Sequence, residues 1–353
     1  MVKNHILNRN FGLDLIRTLA ILLVLIAHSG VSLFLGVKIG IIGVEIFFVL
    51  SGFLIGQILI RDFSADVNPR VVLNFWIRRW FRTLPLYYAI LLIKFIFIDN
   101  SLQWKILVYF VFLQNNFVGI DFMPVSWSLV IEEWFYLLVP IMLIVIFRNG
   151  LTKKGLTIFL ITFIIAENLA RLFWVLYADR GYAGIVGNFP FRLDSLMVGV
   201  LLANLKLNYR MLYDKMKGVI FFVIALAFCF VLLAFFGNAN EKGLKDELLW
   251  TRTLWFCLIS ISFALQIPFV ETIQIKHGNY FGRIITWISL YTYSIYLLHP
   301  YIFGAVITHK GTNSWYWQFP LAMLITFIAG AIIYRFYEKP MMDLRDKVNV
   351  LKK

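Results

Sequence analysis

The sequence has few charged residues and almost no cysteine. Charged side chains make up 15% of its 353 residues and hydrophobic ones 61%. A soluble domain has about 25% charged and about 45–50% apolar residues. The chain is therefore a membrane protein with several spans, and no soluble block of domain size is left over. Its two cysteines, Cys229 and Cys257, lie in apolar runs, which excludes a disulfide framework and favours a packing role.

Acidic residues are also scarce. The chain has 19 Asp and Glu against 33 Lys and Arg, so its formal net charge is +14. In a soluble protein this balance would suggest binding to nucleic acid. Here the basic residues lie mostly in short segments between apolar runs. We therefore attribute them to membrane topology and anionic headgroups, and expect no nucleic-acid partner.

Apolar runs follow one another along the whole chain. The first is too long for the core of a signal peptide and lacks a small-residue cleavage site, so it should remain as the first span. Each run is long enough to be considered as a membrane segment. The runs cover residues 11–34, 39–60, 83–98, 102–118, 126–147, 155–178, 188–205, 218–236, 249–269, 284–304 and 317–337.

Basic residues orient these runs. They place the N-terminus, the 61–82 link and the 148–154 link in the cytoplasm by the positive-inside rule. Three runs lie between the two links, although only two of them can cross. The run 102–118 ends in polar residues, so we predict a re-entrant or interfacial segment. The sequence thus predicts an all-α bundle of about ten transmembrane helices, with both termini in the cytoplasm.

The first run carries an arginine and a histidine on one helical face. Arg17 and His28 are separated by about three turns, or roughly 16 Å along a helix axis. Ionisable residues inside a membrane usually face the bundle interior and serve a function there. In the alternative interpretation, Arg17 reaches lipid headgroups and His28 makes a hydrogen-bonded contact between helices.

Further ionisable residues lie at similar predicted depths, about 6–15 Å below the outer surface at 1.5 Å per residue. Lipid would penalise so many isolated charges, so we expect a polar chamber shared by several helices. Two local pairs, Glu167 with Arg171 and Arg192 with Asp194, are more simply structural. The candidates for the chamber or for acceptor binding, besides His28 and Glu132, are Glu45, Glu133, Arg192, Asp194 and His299.

His28 and Glu132 are the best acid–base candidates in this chamber. Imidazole titrates near neutral pH and can take a proton from a hydroxyl group. A carboxylate can orient the ring and stabilise its cationic form. No serine or cysteine nucleophile motif accompanies them. Ser126 and Ser128 are candidates only for helix capping or substrate contact.

Two arginines, Arg79 and Arg82, lie on one helical face of the 61–82 link. Arginine pairs suit a phosphate-bearing ligand because guanidinium groups make bidentate contacts. Alternatively, the link is an interfacial helix that binds headgroups, since its arginines are mixed with aromatic residues. With Arg17 near the same surface, the pattern suits a phosphate-bearing donor from the cytoplasm and an acceptor from outside.

Six segments in order carry a family resemblance. They are LDLIRTLAILLVLIAH (13–28), GVEIFFVLSGFLIG (43–56), FWIRRWFRTLPLYY (75–88), WSLVIEEWFYLLVP (127–140), FRLDSLMVGVLLA (191–203) and YTYSIYLLHP (291–300). Together they resemble the acyltransferase 3 family of bacterial membrane proteins, of the O-antigen acetylase type. Arg17 with His28, and Arg79 with Arg82, match the functional positions of that family. Glu45 stands where aspartate is expected about as often.

The resemblance implies O-acylation, commonly O-acetylation, of cell-envelope carbohydrate with cytoplasmic acyl-CoA as donor and no metal. Arg17, Arg79 and Arg82 would then hold the phosphates of acyl-CoA. His28, helped by Glu132, would deprotonate the sugar hydroxyl or relay the acyl group. We expect one membrane domain over 1–353, without the extracytoplasmic domain that some relatives carry. The protein would act alone or with a separate partner in the cytoplasmic membrane.

Two other functions remain open at this point. Intramembrane His and Glu residues also serve transporters coupled to protons or solutes. A transporter would more often show two related halves or helices broken midway, and neither is visible in the sequence. The third hypothesis is an export partner in a polysaccharide system that performs no chemistry itself.

Overall fold

The structure, a computed structural model, describes residues 9–28, 39–99, 101–150, 152–178, 181–275, 279–307, 315–345 and 347. Within these ranges it contains no strand, and the predicted all-α class is confirmed. Ten of the described helices have 15 or more residues. They are α1 (Phe11–His28), α2 (Ile39–Ala65), α3 (Pro69–Phe97), α4 (Ser126–Arg148), α5 (Lys153–Ala178), α6 (Asp194–Asn208), α7 (Val219–Glu241), α8 (Leu254–Val270), α9 (Tyr280–Val306) and α10 (Trp315–Ile333).

Shorter elements connect or extend these helices. The short α-helices are Ile106–Phe110, Gln114–Phe117, Tyr182–Val186, Arg210–Lys215, Leu249–Arg252 and Lys339–Arg345. Two 3₁₀ turns, Gln103–Lys105 and Leu244–Asp246, and one π-helical turn, Tyr334–Glu338, complete the set in the described part of the chain.

Seven of the described helices are long and apolar enough to cross a membrane. They are α1 to α5, α7, and α10 with its continuation to Arg345. Among the others, α6 and α8 are shorter, with 15 and 17 residues, and α9 carries more serine, threonine and tyrosine. The chain is thus a polytopic membrane protein. The membrane crossing of α6, α8 and α9 stays a prediction.

Contacts at the two ends of the bundle show the relative directions of four helices. At one end, the start of α1 meets the end of α8, because the Asn10 amide donates to the Glu271 carbonyl oxygen at 2.9 Å. Lys206, near the end of α6, pairs with the Glu271 carboxylate at the same end. At the other end, the ring of His28 contacts that of His299. Helices α1 and α9 therefore run in one direction and α6 and α8 in the other, which agrees with the directions that the charge pattern predicts for these four helices.

The segment 61–82 is not the separate link that the sequence predicts. Helix α2 continues to Ala65, and α3 begins at Pro69 and continues through the arginine segment to Phe97. Proline suits the first position of a helix, and Asn68 caps it by accepting the Arg70 backbone N–H at 2.9 Å. Pro85 lies within α3, but a transmembrane helix tolerates proline where neighbours satisfy the backbone.

The continuity of α3 places its arginines within a longer helix than the sequence predicts. Arg79 lies ten residues from Pro69, which is about 15 Å along the axis at 1.5 Å per residue. Arg82 is one turn further. Both arginines therefore lie midway along this 29-residue helix, and the arginine segment is not a separate helix; its position relative to the membrane surface stays a prediction.

The run 102–118 enters and leaves the bundle at one end. Helices α3 and α4, on either side of it, are antiparallel, because the Trp76 indole donates to the Tyr136 carbonyl oxygen at 2.9 Å. Nearer the other end, the Lys94 ammonium donates to the Phe122 carbonyl oxygen. The run itself is broken into short helices and turns. This confirms that it does not form a continuous span.

Side chains of α3 and α4 donate hydrogen bonds to the backbone of the run 102–118. The hydroxyls of Tyr87 and Tyr88 donate to two of its carbonyl oxygens, at 3.1 and 2.8 Å. The Trp134 indole donates to the Phe112 carbonyl oxygen at 2.8 Å. Irregular backbone at membrane depth is tolerated only where it is buried in protein or lines a cavity, and these donors meet that requirement.

Glycines bring α2 close to α6. A Cβ on Gly52 would lie 1.9 Å from the Leu196 carbonyl oxygen, and one on Gly199 would lie 2.2 Å from that of Val49. Gly56 faces Ala203 one turn further along. Because lipid supplies no hydrophobic force between helices, small residues that allow close backbone packing take its place.

Cysteine labelling tests the orientation of the bundle. We expect Asp66→Cys, between α2 and α3, and Val348→Cys, beyond the described residues, to react only from the cytoplasm. The positive-inside rule is the reason. Lys242→Cys, exposed after α7 at the opposite end, should react with a membrane-impermeant thiol reagent in intact cells. The two native cysteines are buried and give little background. External labelling of position 66 or 348 would contradict this orientation.

Candidate active site

One cavity in the described bundle brings together four of the predicted site residues. Arg17 of α1, Arg79 and Arg82 of α3, and Glu132 of α4 all line it, and its volume is about 140 Å³. Helices α2 and α9 supply the remaining walls. Several polar lining residues were not predicted for the site from the sequence, namely Ser51, Thr83, Tyr136, Thr292, Tyr293 and Tyr296.

The cavity is elongated along the bundle. Its lining residues on α2 extend from Val44 to Ile55, which is about 16 Å of helix at 1.5 Å per residue. On α4 they extend from Ser128 to Tyr136. The end that contains Tyr136 and the arginines is here called the arginine end. The end that contains Val44 and Ser128 is called the outer end.

The arginine end has an excess of positive charge. Arg17 lies 3.4 Å from Asp14, whose carboxylate also binds Arg9 and accepts from the Ser289 hydroxyl at 2.7 Å. Among the described residues, neither Arg79 nor Arg82 has a carboxylate within 4.0 Å. Both lie close enough to Arg17 to repel it. Such a cluster suits an anionic ligand that makes bidentate contacts.

Aromatic rings hold Arg79 in place. Its guanidinium carbon lies 5.6 Å from the centre of the Phe75 ring and 5.9 Å from that of Tyr136. These cation–π contacts orient the group without neutralising its charge. Arg82 is exposed, so the cavity is open at the arginine end.

Glu132 lies opposite the arginines rather than beside His28. Its carboxylate accepts hydrogen bonds from the Ser51 hydroxyl at 2.6 Å and from the Tyr136 hydroxyl, and these two hydroxyls are 3.0 Å apart. Among the described contacts, none joins Glu132 to His28. The sequence could have indicated this cluster, because Tyr136 follows Glu132 by one helical turn and the two side chains therefore lie on one face.

His28 ends α1 beyond the outer end of the cavity and does not line it. Its Nδ1 lies 2.8 Å from the Val24 carbonyl oxygen. A carbonyl only accepts hydrogen bonds, so Nδ1 carries a proton and Nε2 of the neutral ring keeps its lone pair. Residues 29–38, which include the predicted outer end of this span, lie outside the described residues.

His299 is an ionisable neighbour of His28. The two ring centres are 4.7 Å apart, and the rings meet edge to face at 73°. The His299 side chain is fully buried, and neither ring nitrogen has a hydrogen-bond partner among the described residues. The two histidines, which the sequence places at similar depths, are therefore in contact in the structure.

Tyr296 connects the cavity lining to this histidine pair. Its ring lines the outer end and its centre lies 5.7 Å from that of His299. Its hydroxyl donates to the Val125 carbonyl oxygen at 3.0 Å and lies 2.6 Å from the Ser128 hydroxyl oxygen. The side chain of Tyr296 is thereby fixed against the start of α4.

Glu45 and Arg192 form a buried ion pair away from the cavity. The Glu45 carboxylate also accepts from Ser195 at 2.7 Å and from Ser260 at 3.0 Å. The Arg192 guanidinium lies 3.9 Å from the centre of the Phe256 ring. The predicted pairing of Arg192 with Asp194 is wrong, because Arg192 reaches across to α2 instead.

A second buried network includes Asp194. Arg171 Nη2 lies 2.6 Å from Asp194 and 4.0 Å from Glu167, so the predicted Glu167–Arg171 pair is the looser of the two. Glu133 is buried beside Glu132 but does not line the cavity, and its Oε2 has no hydrogen-bond partner among the described residues. Glu45, Glu133, Arg192 and Asp194 therefore do not share one chamber with the arginines.

The Glu45–Arg192 pair should stabilise the fold. Arg192→Met should lower stability by about 3–5 kcal/mol, because it leaves a buried carboxylate unpaired. Adding Glu45→Gln to that variant should recover part of the loss. Thermal unfolding of purified protein in detergent measures both effects. Arg61→Ala is the control, since Arg61 makes an exposed pair with Asp62, which contributes little. A wild-type unfolding temperature for Arg192→Met would contradict a stabilising role.

Comparison with known proteins identifies the protein family of the chain. A family model described as an acyltransferase domain matches residues 10–335. No solved structure matches the chain.

Three relatives illustrate the similarity. The chain is 28% identical to a Staphylococcus aureus (strain COL) protein provisionally named an O-acetyltransferase, over 93% of this chain and 56% of the relative. It is 28% identical to Bacillus subtilis YrhL, provisionally named a peptidoglycan O-acetyltransferase, over 93% and 54%. It is also 28% identical to the peptidoglycan O-acetyltransferase OatA of Listeria monocytogenes, over 93% and 55%. The chain thus spans about half the length of the curated relatives it matches.

Proposed function

The chain belongs to the acyltransferase family whose domain covers residues 10–335, and from this membership we propose that it is a membrane O-acetyltransferase. The donor would be acetyl-CoA, and the acceptor a hydroxyl group of a cell-envelope or exported carbohydrate. Relatives named as peptidoglycan O-acetyltransferases support a carbohydrate acceptor. The names of these relatives favour an enzyme over a transporter, and over an export partner that performs no chemistry itself.

The observation that carries this proposal is the unneutralised arginine pair in the cavity. Arg79 and Arg82 have no carboxylate within 4.0 Å among the described residues, and Arg17 shares its carboxylate with Arg9. The phosphates of coenzyme A would satisfy these guanidinium groups through bidentate contacts. The exposure of Arg82 gives the donor an entrance at this end.

The shape of the cavity supports the path of the donor. From the arginine end, about 16 Å of lined α2 leads toward the outer end at 1.5 Å per residue. The pantetheine arm would follow this path and bring the acyl group toward Tyr296. The ring of Tyr296 contacts that of His299, and the ring of His299 contacts that of His28.

His28 would perform the chemistry through its Nε2 lone pair. On the direct route, Nε2 takes the proton of the acceptor hydroxyl while the hydroxyl oxygen attacks the thioester carbonyl; the carbon–sulfur bond breaks, and the imidazolium returns the proton to the leaving thiolate of coenzyme A. On the relay route, Nε2 attacks the thioester carbonyl first and the carbon–sulfur bond breaks; the acceptor oxygen then attacks the acyl carbon, the nitrogen–carbon bond breaks, and the hydroxyl proton goes to the thiolate. Both routes need the tautomer that the Nδ1–Val24 hydrogen bond favours.

Glu132 would act at the donor site and not on His28. Its hydrogen bond from Tyr136 fixes the ring over which Arg79 lies. We assign it the role of holding Arg79 toward the donor. The arginine end would face the cytoplasm of a bacterial cell, where the acyl-CoA donor is available. A separate extracytoplasmic or polysaccharide-assembly partner stays a prediction.

Substitution of the arginines tests the donor site. Arg79→Ala and Arg82→Ala should raise the KM for acetyl-CoA about 10- to 100-fold, because each loses a charged hydrogen bond. Lysine should restore part of the affinity, since it offers a point charge in place of a planar fork. Steady-state kinetics of acetyl-CoA hydrolysis or transfer by purified protein gives these values.

Arg78→Ala is the matched control for the donor site. Arg78 is next to Arg79 but is exposed and does not line the cavity, so its KM should stay near that of the wild type. An unchanged KM in both Arg79→Ala and Arg82→Ala would assign these arginines to lipid headgroups instead.

Substitution of His28 tests the proposed base or relay. His28→Ala or His28→Gln should lower kcat by about 10²–10⁴-fold with folding intact. Arg17→Ala should differ by raising the KM for acetyl-CoA more than it lowers kcat. Near-normal transfer by His28→Ala would place catalysis elsewhere, and His299 and Glu132 would be examined next.

A further inference from the structure

We propose that Arg9 forms a second anion site beside the arginine end of the cavity, and that this site binds the 3′-phosphate of the donor's nucleotide. Coenzyme A carries this phosphate on its ribose, apart from the diphosphate that leads to the pantetheine arm. Arg17, Arg79 and Arg82 would then hold the diphosphate. This inference rests on the proposed use of acyl-CoA and assigns one part of the donor to one further arginine.

The first argument is the position of Arg9. Its backbone precedes α1 and therefore lies nearer this end of the bundle than Arg17 does. The two side chains meet the same carboxylate, because Arg17 Nη1 lies 3.4 Å from Asp14 Oδ1 and Arg9 Nε donates to Oδ2 at 3.0 Å. Arg17 lines the cavity, and Arg9 does not. A donor that enters from this end with its acyl group first therefore leaves its nucleotide beside Arg9.

The second argument is the neighbour that Arg9 shares with Arg82. The π-helical turn Tyr334–Glu338 follows α10, and Tyr334 lies close enough to both arginines for their charges to act on its hydroxyl. Arg82 is exposed at the open arginine end. Tyr334 therefore connects Arg9 to that opening. Turns of π-helix are rare, and they occur frequently at functional sites.

The third argument is the charge that remains on this cluster. Among the described residues, Asp14 is the only carboxylate within 4.0 Å of either Arg9 or Arg17, so two positive charges share one negative charge. The Asp14 side chain is 1% exposed, whereas those of Arg9 and Arg17 are 26% and 23% exposed. An anion that approaches from water therefore meets the guanidinium groups and not the carboxylate.

The fourth argument is the orientation of the Arg9 guanidinium. Its Nε and Nη2 donate to the two carboxylate oxygens of Asp14, and Nη2 also donates to Ser289 Oγ at 3.1 Å. Ser289 in turn donates to Asp14 at 2.7 Å. Nη1, which carries two further N–H donors, has no hydrogen-bond partner in the described part of the chain. The group is thus held by one edge, and its remaining donors are available to a phosphate.

Two donors that differ only in this phosphate test the inference. The KM of purified wild type is measured for acetyl-CoA and for 3′-dephospho-acetyl-CoA. We expect the KM for the dephosphorylated donor to be about 10- to 100-fold higher, because a charged hydrogen bond is lost. In Arg9→Ala the KM for acetyl-CoA should rise by this factor relative to the KM for the other donor. The ratio of the two KM values should therefore fall toward one.

The ratio distinguishes phosphate binding from a structural effect. Arg9→Ala leaves Asp14 with one partner fewer, and Arg17 can shift as a result. Such a shift weakens the diphosphate site and raises both KM values equally, so the ratio would keep its wild-type value. Ser289→Ala removes only a hydroxyl that orients Arg9, and it should lower the ratio part of the way.

Arg210→Ala is the matched control. Arg210 lies at the same end of the bundle, just beyond α6, and its exposed side chain is 3.6 Å from Asp214. The variant removes one positive charge at this end without changing the cluster, so its ratio should equal that of the wild type. Should Arg9→Ala not fold, Arg9→Ala combined with Asp14→Asn removes the unpaired negative charge as well, and the same fall in ratio is expected.

The outcomes separate this inference from the proposed function. If the wild type uses neither donor, the proposed function fails and the inference fails with it. If the wild type uses acetyl-CoA but has equal KM values for the two donors, only the inference fails. An unchanged ratio in Arg9→Ala, an equal fall in Arg210→Ala, or a fall in Arg82→Ala without one in Arg9→Ala would each overturn the inference.

Discussion

The close contact between α2 and α6 is the constraint on which the rest of the bundle depends. Gly52 and Gly199 allow each backbone to touch a carbonyl oxygen of the other helix. At the outer end of the same contact, Glu45 of α2 forms a buried ion pair with Arg192, which lies just before α6. Because α2 also supplies Ser51 and the length of the cavity wall, this contact fixes where Glu132 and the arginines meet.

Features that lie within one helix could be predicted from the sequence. Apolar runs predict the all-α class of the bundle, and the basic segments on either side predict that the run 102–118 does not form a continuous span. The spacing of Arg79 and Arg82 correctly places both on one face, since both line the cavity with Arg17. These predictions succeed because helical periodicity and lipid burial follow from local composition.

Partners on different helices could not be predicted in the same way. The predicted depth of a charged residue shows which other residues lie in the same layer of the membrane. It does not show which of them it contacts. Arg192 therefore pairs with Glu45, and Arg171 with Asp194, although nearer partners in the sequence were expected. The segment 61–82 was also expected to be a separate link, whereas α3 continues through its arginines to Phe97, because no helix stop separates them from the apolar run that follows.

The position of Glu132 opposite the three arginines of the cavity has a consequence for the proposed turnover. An occupant with phosphate groups is attracted by the arginines and repelled by a carboxylate that lines the same cavity. The repulsion reduces the affinity for every such occupant, including the one left after the reaction. Differences in affinity between related ligands appear mainly in their dissociation rates. For the proposed donor, a site of this charge pattern would favour rapid release of the spent donor over its tight retention.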